Sequence, residues 1–236
     1  MRVAALYDIH GNLPALEAVL ADSRLDDADA IVVGGDVVAG PFPAEAVDAL
    51  EALGGRVRFV RGNADRLVLE GADDRQHWCR AQLGHARAAR MAAWPQTVSL
   101  EVEGLGPVRF CHATPRSDEE LVTRVTPAGE VADALAGTEE SVVVCGHTHI
   151  QYDRQAGRWR LICAGSVGWP YEGRPGAFWL LLGPGVSHVR TEYDVGGAVE
   201  RMRRTSHPGL EEEVESLLEP PDATETTEYF ESLRAS

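Results

Sequence analysis

Short apolar runs alternate with stretches of helical periodicity along this chain of 236 residues. The runs are rich in Val, Ile, Leu and aromatic residues, a composition typical of strands that are buried on both faces. The predicted strands are Val3–Tyr7, Ile31–Gly34, Val57–Val60, Val98–Val102, Val108–Cys111, Val142–Cys145, Trp159–Cys163, Phe178–Leu182 and His188–Tyr193. The predicted helices are Leu13–Asp22, Ala44–Leu53, Arg66–Trp94, Ala128–Leu135, Val195–Arg204 and Leu210–Leu218.

The order of these elements predicts an α/β fold. The first half has the order β-α-β-α-β-α, which indicates a largely parallel sheet. The second half is richer in strands, and the Gly- and Pro-containing segment 103–107 suits a hairpin turn. Two sheets flanked by helices are the natural packing. We predict one domain over residues 1–218, followed by an acidic, loosely held C-terminal tail over residues 219–236.

The charge of the chain argues against two classes of partner. Lys and Arg total 22 while Asp and Glu total 37, so the net charge is −15. Such a surface repels a nucleic-acid duplex and anionic lipid, and no apolar run approaches the roughly 20 residues that span a bilayer. The N-terminal run meets Asp8 too early for a signal peptide, so we expect a cytoplasmic location. The four cysteines have no CxxC spacing, and we expect reduced thiols packed in a core.

Polar side chains of the types that bind metals follow five of the predicted strands. These residues are Asp8, His10, Asp36, Asn63, His112, His147 and His149. In α/β sheets, binding sites form at the carboxyl ends of strands, so these five loops are expected to converge. Residues two apart in extended chain point to the same side, which lets a pair such as Asp8 and His10 present two ligands together.

The chemistry of this set favours two divalent cations. Carboxylate, amide and imidazole ligands without a thiolate favour Mn²⁺, with Fe, Zn²⁺ and Ni²⁺ as alternatives. A bridging carboxylate, most simply Asp36, would hold two ions about 3.5–4 Å apart, as in two-metal phosphatases and nucleases. Bound cations would also supply the positive centre that an acidic protein needs to bind a phosphate.

In this order along the chain, these residues resemble the calcineurin-like metallophosphoesterase superfamily, and most closely its small bacterial phosphodiesterases. The resemblance rests on Asp8-x-His10, Gly35-Asp36, Gly62-Asn63, His112 and Gly146-His147-x-His149, with a Gly-Ser-x-Gly-like loop at 165–168. It implies an αββα sandwich of two mixed sheets flanked by helices. It also implies that Asp8, His10 and His149 hold one metal ion, that Asn63, His112 and His147 hold the other, and that Asp36 bridges them. Phosphate esters would then be hydrolysed by a hydroxide held between the metals.

One position departs from the family pattern. Many members carry a histidine directly after the ligand asparagine, where it contacts the substrate phosphate and assists the leaving group. Here that position is Ala64, a departure that the small bacterial phosphodiesterases often share. Losing a general acid typically costs about 10²–10⁴ in rate, so we expect activated aryl esters to be the best substrates.

Several assignments stay open from the sequence alone. Asn12 either caps the helix that begins near Leu13 or contacts the substrate, and both roles are compatible. Arg116 either binds a substrate phosphate or is an ordinary surface arginine. The segment Trp169-Pro170-Tyr171 either walls a pocket for a base or aryl group or packs as a loop.

The functional alternatives are a phosphomonoesterase acting on proteins or nucleotides and, in another class, a metal-binding scaffold of the same fold without catalysis. A small phosphate ester is the expected substrate in the catalytic cases. The physiological substrate, the native metal and the oligomeric state are left open by the sequence.

Overall fold

The computed structural model describes residues 1–71 and 73–234. Within this part of the chain, ten strands form two sheets and eight α-helices flank them. The strands are β1 (Val3–Leu6), β2 (Ala30–Val33), β3 (Val57–Phe59), β4 (Thr97–Val102), β5 (Gly106–Cys111), β6 (Val142–Cys145), β7 (Gln151–Ala156), β8 (Trp159–Ala164), β9 (Ala177–Leu182) and β10 (Val186–Thr191). The helices are α1 (Leu13–Leu20), α2 (Pro43–Glu51), α3 (Asn63–Glu70), α4 (Asp74–Ala92), α5 (Ala128–Ala134), α6 (Val195–Met202), α7 (Leu210–Leu218) and α8 (Ala223–Arg234).

Both sheets are mixed. The first has the order β10-β9-β1-β2-β3, in which β1, β2 and β3 are parallel and β9 is antiparallel to β1 and β10. The second has the order β4-β5-β6-β8-β7, in which β5, β6 and β8 are parallel and the two edge strands are antiparallel. The carboxyl ends of the parallel strands in each sheet therefore carry loops to a common edge.

Alternation along β1 explains the layering. Ala4 and Leu6 pack in a core with α1 to α4, whereas Val3 and Ala5 pack in a second core shared by the two sheets. A third core lies between the second sheet and α5, and a fourth joins α6 to α7. Because successive side chains of a strand face opposite ways, a strand covered on both faces is apolar throughout. This arrangement is the predicted sandwich.

All nine predicted strands form, with ends within two residues of the prediction. Strand β7 was not predicted. Its sequence, Gln-Tyr-Asp-Arg-Gln-Ala, buries only Tyr152 and Ala156 because it is an edge strand with one polar side. The predicted helix Arg66–Trp94 is broken at two glycines: Gly71 ends α3 with a φ of 67°, and Gly84, with a φ of 68°, kinks α4. Ala72, which that prediction included, lies outside the described residues.

The segment predicted as a loosely held tail forms helix α8 instead. Glu231 accepts hydrogen bonds from the hydroxyls of Thr123 (2.6 Å) and Thr126 (2.5 Å), which fasten α8 to the body of the protein. Arg124 also donates to the Thr224 hydroxyl at 2.9 Å. Residues 235 and 236 of the predicted tail lie outside the described residues.

Two further expectations concern the rest of the chain. In the part that the structure describes, no helix combines the length and the apolarity that a membrane crossing requires. The four cysteines are buried and free, as expected for reduced thiols in a core.

Candidate metal centre

Five of the seven predicted ligands have left-handed backbone. Their φ angles are 53° for Asp8, 47° for His10, 53° for Asp36, 68° for His147 and 59° for His149. They are the only non-glycine residues with positive φ in ranges 1–71 and 73–234. Such conformations are strained for side chains with a Cβ and tend to collect at functional sites. The left-handed backbone directs these side chains away from the strand ends and towards one another.

The first cluster of ligand-type side chains consists of Asp8, His10 and His149, whose ligand atoms all lie within 4.8 Å of one another. The Nε2 atoms of His10 and His149 face each other at 3.1 Å. Asp8 Oδ1 lies 3.3 Å from His149 Nε2 and 3.9 Å from His10 Nε2. These are the three residues predicted to hold the first metal.

The second cluster consists of Asp36, His112 and His147, again with ligand atoms within 4.8 Å of one another. The predicted amide ligand, Asn63, joins it, because Asn63 Oδ1 lies 2.9 Å from His112 Nε2. Two carboxylate oxygens lie between the clusters: Asp8 Oδ1 is 3.9 Å from His112 Nε2, and Asp36 Oδ2 is 3.4 Å from His112 Nε2 and 3.8 Å from His10 Nε2. The shorter contacts of Asp36 fit the carboxylate predicted to bridge two cations.

The donor set fits a pair of divalent cations. Asp8 is fully buried, yet its Oδ1 accepts no hydrogen bond from any described residue. A buried, unsatisfied carboxylate oxygen is costly unless a cation neutralises it. Imidazole nitrogens and carboxylate oxygens together suit first-row divalent metals.

The histidine tautomers are set by backbone carbonyls, which can only accept a hydrogen bond. Three histidines donate through Nδ1–H, so that Nε2 is the nitrogen that faces the ligand clusters: His10 to Ala39 (3.3 Å), His112 to Gly34 (3.0 Å) and His149 to Trp169 (2.6 Å). His147 is reversed, because its Nε2 lies 3.2 Å from the Glu119 carbonyl and its Nδ1 is left free. Orienting a ligand through its second nitrogen is the usual arrangement at metal sites.

The charged and buried side chains of the centre shift one another's pKa values. Burial lowers the pKa of His112, but the nearby charges of Asp36 and Asp8 outweigh burial and raise this pKa to about 10. Burial raises the pKa of Asp36, but the charges on His112 and His10 outweigh it and lower the pKa below the ordinary value. Burial and the charge on His112 lower the pKa of His147 to about 4, so His147 is neutral and can act as a ligand.

Asp65 fixes the backbone of Asp36, the residue predicted to bridge the cations. This fully buried residue accepts hydrogen bonds from the backbone N–H groups of Asp36 (2.9 Å), Val37 (2.8 Å), Val38 (3.2 Å) and Gly62 (3.1 Å). Burial, together with the charge of Asp36, raises the pKa of Asp65 to about 7 although these hydrogen bonds act in the opposite direction. Asp65 therefore ties the loop that carries Asp36 to the start of α3.

Close approaches explain two of the glycines around the centre. A Cβ at Gly62 would lie 2.1 Å from Asp36 Oδ1, and a Cβ at Gly146 would lie 2.4 Å from Asp8 Oδ2. Any larger residue would push a carboxylate away from the metal position.

The remaining predicted site residues have different surroundings. Asn12 caps α1 by accepting from the Ala15 N–H (3.1 Å), and its amide donates to the Gly168 carbonyl (2.8 Å). Its helix-capping role is confirmed, and its role toward substrate stays a prediction. Arg116 is exposed and pairs with Glu120, so the structure does not bring it to the ligand clusters. Its role as a phosphate ligand also stays a prediction.

Other residues that shape the centre were not predicted to do so. Arg66 is predicted only as the first residue of a helix, and the one sequence signal for the role of Asp65 is its position as an acidic third residue of α3. Arg66 pairs with Asp118 (2.9 Å) and Glu119 (2.6 Å), which holds the loop whose carbonyl orients His147. The carbonyl of Trp169 orients His149.

Comparisons with known proteins agree with this geometry. A calcineurin-like phosphoesterase superfamily domain matches residues 1–182. Phosphodiesterase YfcE of Escherichia coli (strain K12) is 29% identical over 190 residues, which cover 77% of this chain and 87% of that protein.

Two solved structures share the fold. Hypothetical protein PH1004 from Pyrococcus horikoshii OT3 superposes with a TM-score of 0.81 at 20% identity, covering 94% of this chain and 99% of that one. A metallophosphoesterase from Sphaerobacter thermophilus superposes with a TM-score of 0.76 at 24% identity, covering 93% of this chain and 98% of that one. They confirm the predicted architecture of two mixed sheets flanked by helices.

Proposed function

The chain belongs to the calcineurin-like phosphoesterase superfamily, and we propose that within it this protein is a phosphodiesterase that works with two divalent cations. Hydrolysis of phosphoric esters is the activity of the family. The preference for diesters rests on the similarity to phosphodiesterase YfcE, with which the chain shares 29% of residues over the aligned region.

One observation carries the proposal: two clusters of ligand-type side chains adjoin, and Asp36 Oδ2 lies within 3.8 Å of a histidine in each of them. A site for one ion needs no such arrangement. All seven predicted ligands lie in it, and hydrolysis that depends on metal distinguishes a catalytic centre from a metal-binding scaffold without catalysis.

The residues of the chain have distinct tasks in this reaction. When bound, the two cations supply Lewis acidity, which lowers the pKa of water and polarises the phosphoryl oxygens. Asp8, His10 and His149 would hold one cation, and Asn63, His112 and His147 would hold the other. Asp36 would be shared by the two cations, and Asp65 holds Asp36 by accepting a hydrogen bond from its backbone N–H. Because these side chains are held by backbone hydrogen bonds, little reorganisation is needed when substrate binds.

Leaving-group chemistry limits the substrate range. Ala64 offers no proton donor beside Asn63, although its backbone N–H donates to Asp36 Oδ1 at 2.8 Å. Esters with good leaving groups, such as nitrophenolate, need little protonation and should react fastest. Alkyl diesters should react more slowly by about 10²–10⁴.

The proposal includes Mn²⁺ as the metal and the cytoplasm as the location. Mn²⁺ is supported by a ligand set of oxygen and imidazole nitrogen without thiolate. The four free thiols support a reducing compartment.

The test is a matrix of metals and substrates. Protein stripped of metal is supplied with Mn²⁺, Fe²⁺, Zn²⁺ or Ni²⁺ and assayed on bis(4-nitrophenyl) phosphate and 4-nitrophenyl phosphate. We expect turnover that depends on metal, with the diester preferred. Faster turnover of the monoester would make the protein a phosphomonoesterase. Stoichiometric metal binding without hydrolysis of either ester would favour the scaffold.

A further inference from the structure

A groove lined by aromatic side chains lies beside the metal centre. Its volume is about 450 Å³, within the roughly 300–1,000 Å³ of typical ligand sites. The loop after β8 contributes Trp169 and Tyr171, and helix α8 contributes Tyr229 and Phe230. Helix α8 lies beyond residues 1–182, the part that matches the family domain.

Two walls of the groove pack against the first ligand cluster. The ring of Tyr171 stacks on His149 with 4.7 Å between centroids and 25° between planes. The ring of Trp169 stands edge-on to His10 at 5.5 Å. Two aromatic walls of the groove therefore rest directly on two ligands of the first cluster.

The residues that wall the groove are fixed by contacts with the rest of the protein, but the ring of Tyr229 is exposed. The indole N–H of Trp169 donates to Ser216 Oγ at 2.6 Å, and Phe230 packs 6.3 Å from Tyr171. Glu231 anchors α8 through Thr123 and Thr126, as described above. Tyr229 is nevertheless 59% exposed, although it lines the groove. An exposed aromatic ring on a fixed helix offers a face for stacking.

The charge around the groove restricts what can enter it. Glu212 and Glu225 lie at its lining, and no Lys, Arg or His does so among the described residues. These carboxylates would repel a phosphate group in the groove, so the phosphoryl group of the substrate would lie at the cations instead. An uncharged ring is compatible with both the aromatic walls and the acidic lining.

We propose that this groove binds a ring-bearing ester arm of the substrate, an aryl group or a nucleobase, while the phosphoryl group lies at the metal centre. The proposal rests on the proposed function. It makes α8 part of the substrate site and defines the substrate class as phosphodiesters in which at least one arm carries an aromatic ring.

The test uses phosphinates, which carry the single negative charge of a phosphodiester but have no ester bond to hydrolyse. The affinities of Mn²⁺-loaded protein for dibenzylphosphinate and dimethylphosphinate are measured by isothermal titration calorimetry. We expect dibenzylphosphinate to bind more tightly in the unaltered protein. Tyr229→Ala should weaken the binding of dibenzylphosphinate by about 3- to 10-fold, the contribution of one aromatic pair, and leave that of dimethylphosphinate unchanged. Tyr229→Phe keeps the ring and should retain the affinity.

The matched control is Leu218→Ala, which removes an exposed apolar side chain from α7 outside the groove lining. It should change neither affinity. Equal affinities of the unaltered protein for the two phosphinates, or an equal effect of Tyr229→Ala on both, would overturn the proposal. If the phenyl preference depends on Tyr229 but no ester is hydrolysed, the groove stands and the proposed function fails. If esters are hydrolysed without that dependence, only the groove assignment fails.

Discussion

Asp65→Asn tests whether a residue that contacts no cation sets the geometry of the metal centre. Asp65 Oδ2 accepts from the N–H groups of Asp36 and Gly62, and its Oδ1 accepts from those of Val37 and Val38. Asparagine has nearly the same shape, but one of its two terminal atoms is an NH₂ donor. In either orientation of the amide, two backbone N–H groups face a donor and lose their acceptor.

The structure sets the magnitude of the effect. Each buried N–H that loses its partner costs about 1–3 kcal/mol, or about 2–6 kcal/mol for two. The neutral amide also removes the cost of burying a charged carboxylate, whose pKa is raised to about 7. We therefore expect the free energy of unfolding to fall by about 2–4 kcal/mol. Because the backbone of Asp36 moves, metal affinity should fall by about 10–100-fold, as for other residues that orient metal ligands.

Urea unfolding of the metal-free protein measures the stability change, and Mn²⁺ titration under native conditions measures the affinity. The control is Asp26→Asn, the same chemical change at an exposed position, which should alter stability by no more than about 0.5 kcal/mol. Unchanged stability and unchanged Mn²⁺ affinity in Asp65→Asn would refute the reasoning.

Three further predictions follow from the same structure. Asp36→Asn should release metal and lower kcat at least about 10³-fold while circular dichroism stays unchanged; normal kcat would contradict the bridging role. Mn²⁺ at 100 times its Kd should raise Tm by about 5–10 °C over chelated protein in a thermal shift assay; an unchanged Tm would contradict metal binding by the folded state. Gly34→Ala places a Cβ 1.9 Å from the buried ring of Tyr7 and should cost about 1–3 kcal/mol in urea unfolding. Gly55→Ala, with no described atom within 4 Å of its Cβ, is the control, and equal midpoints would contradict the clash.

The elements that could be predicted are those whose hydrophobic pattern along the chain matches their burial in the fold. A strand such as β6, Val-Val-Val-Cys, is covered on both faces and so is apolar at every position. Its carboxyl end leads to Gly146 and His147, and the polar residues there could be recognised because they interrupt an apolar run. The same reasoning led to the other ligands, which the structure brings together in two clusters.

The parts that could not be predicted depend on contacts between distant residues. Strand β7 is half polar because only one of its faces is covered, so its apolar content is too low to indicate a strand. Helix α8 buries little, and its position depends on hydrogen bonds that Glu231 accepts from a loop more than 100 residues earlier. Asp65 looks like an ordinary residue of a first helical turn until the fold places four N–H groups around it.

The left-handed backbone at five predicted ligands has a consequence for the stability of the protein. Each residue costs about 1 kcal/mol relative to a relaxed conformation, so the five together cost about 5 kcal/mol, a large part of the stability of a typical domain. Replacing any of them with glycine would relieve this strain but remove a ligand. At these five positions the most stable sequence and the metal-binding sequence are therefore different sequences.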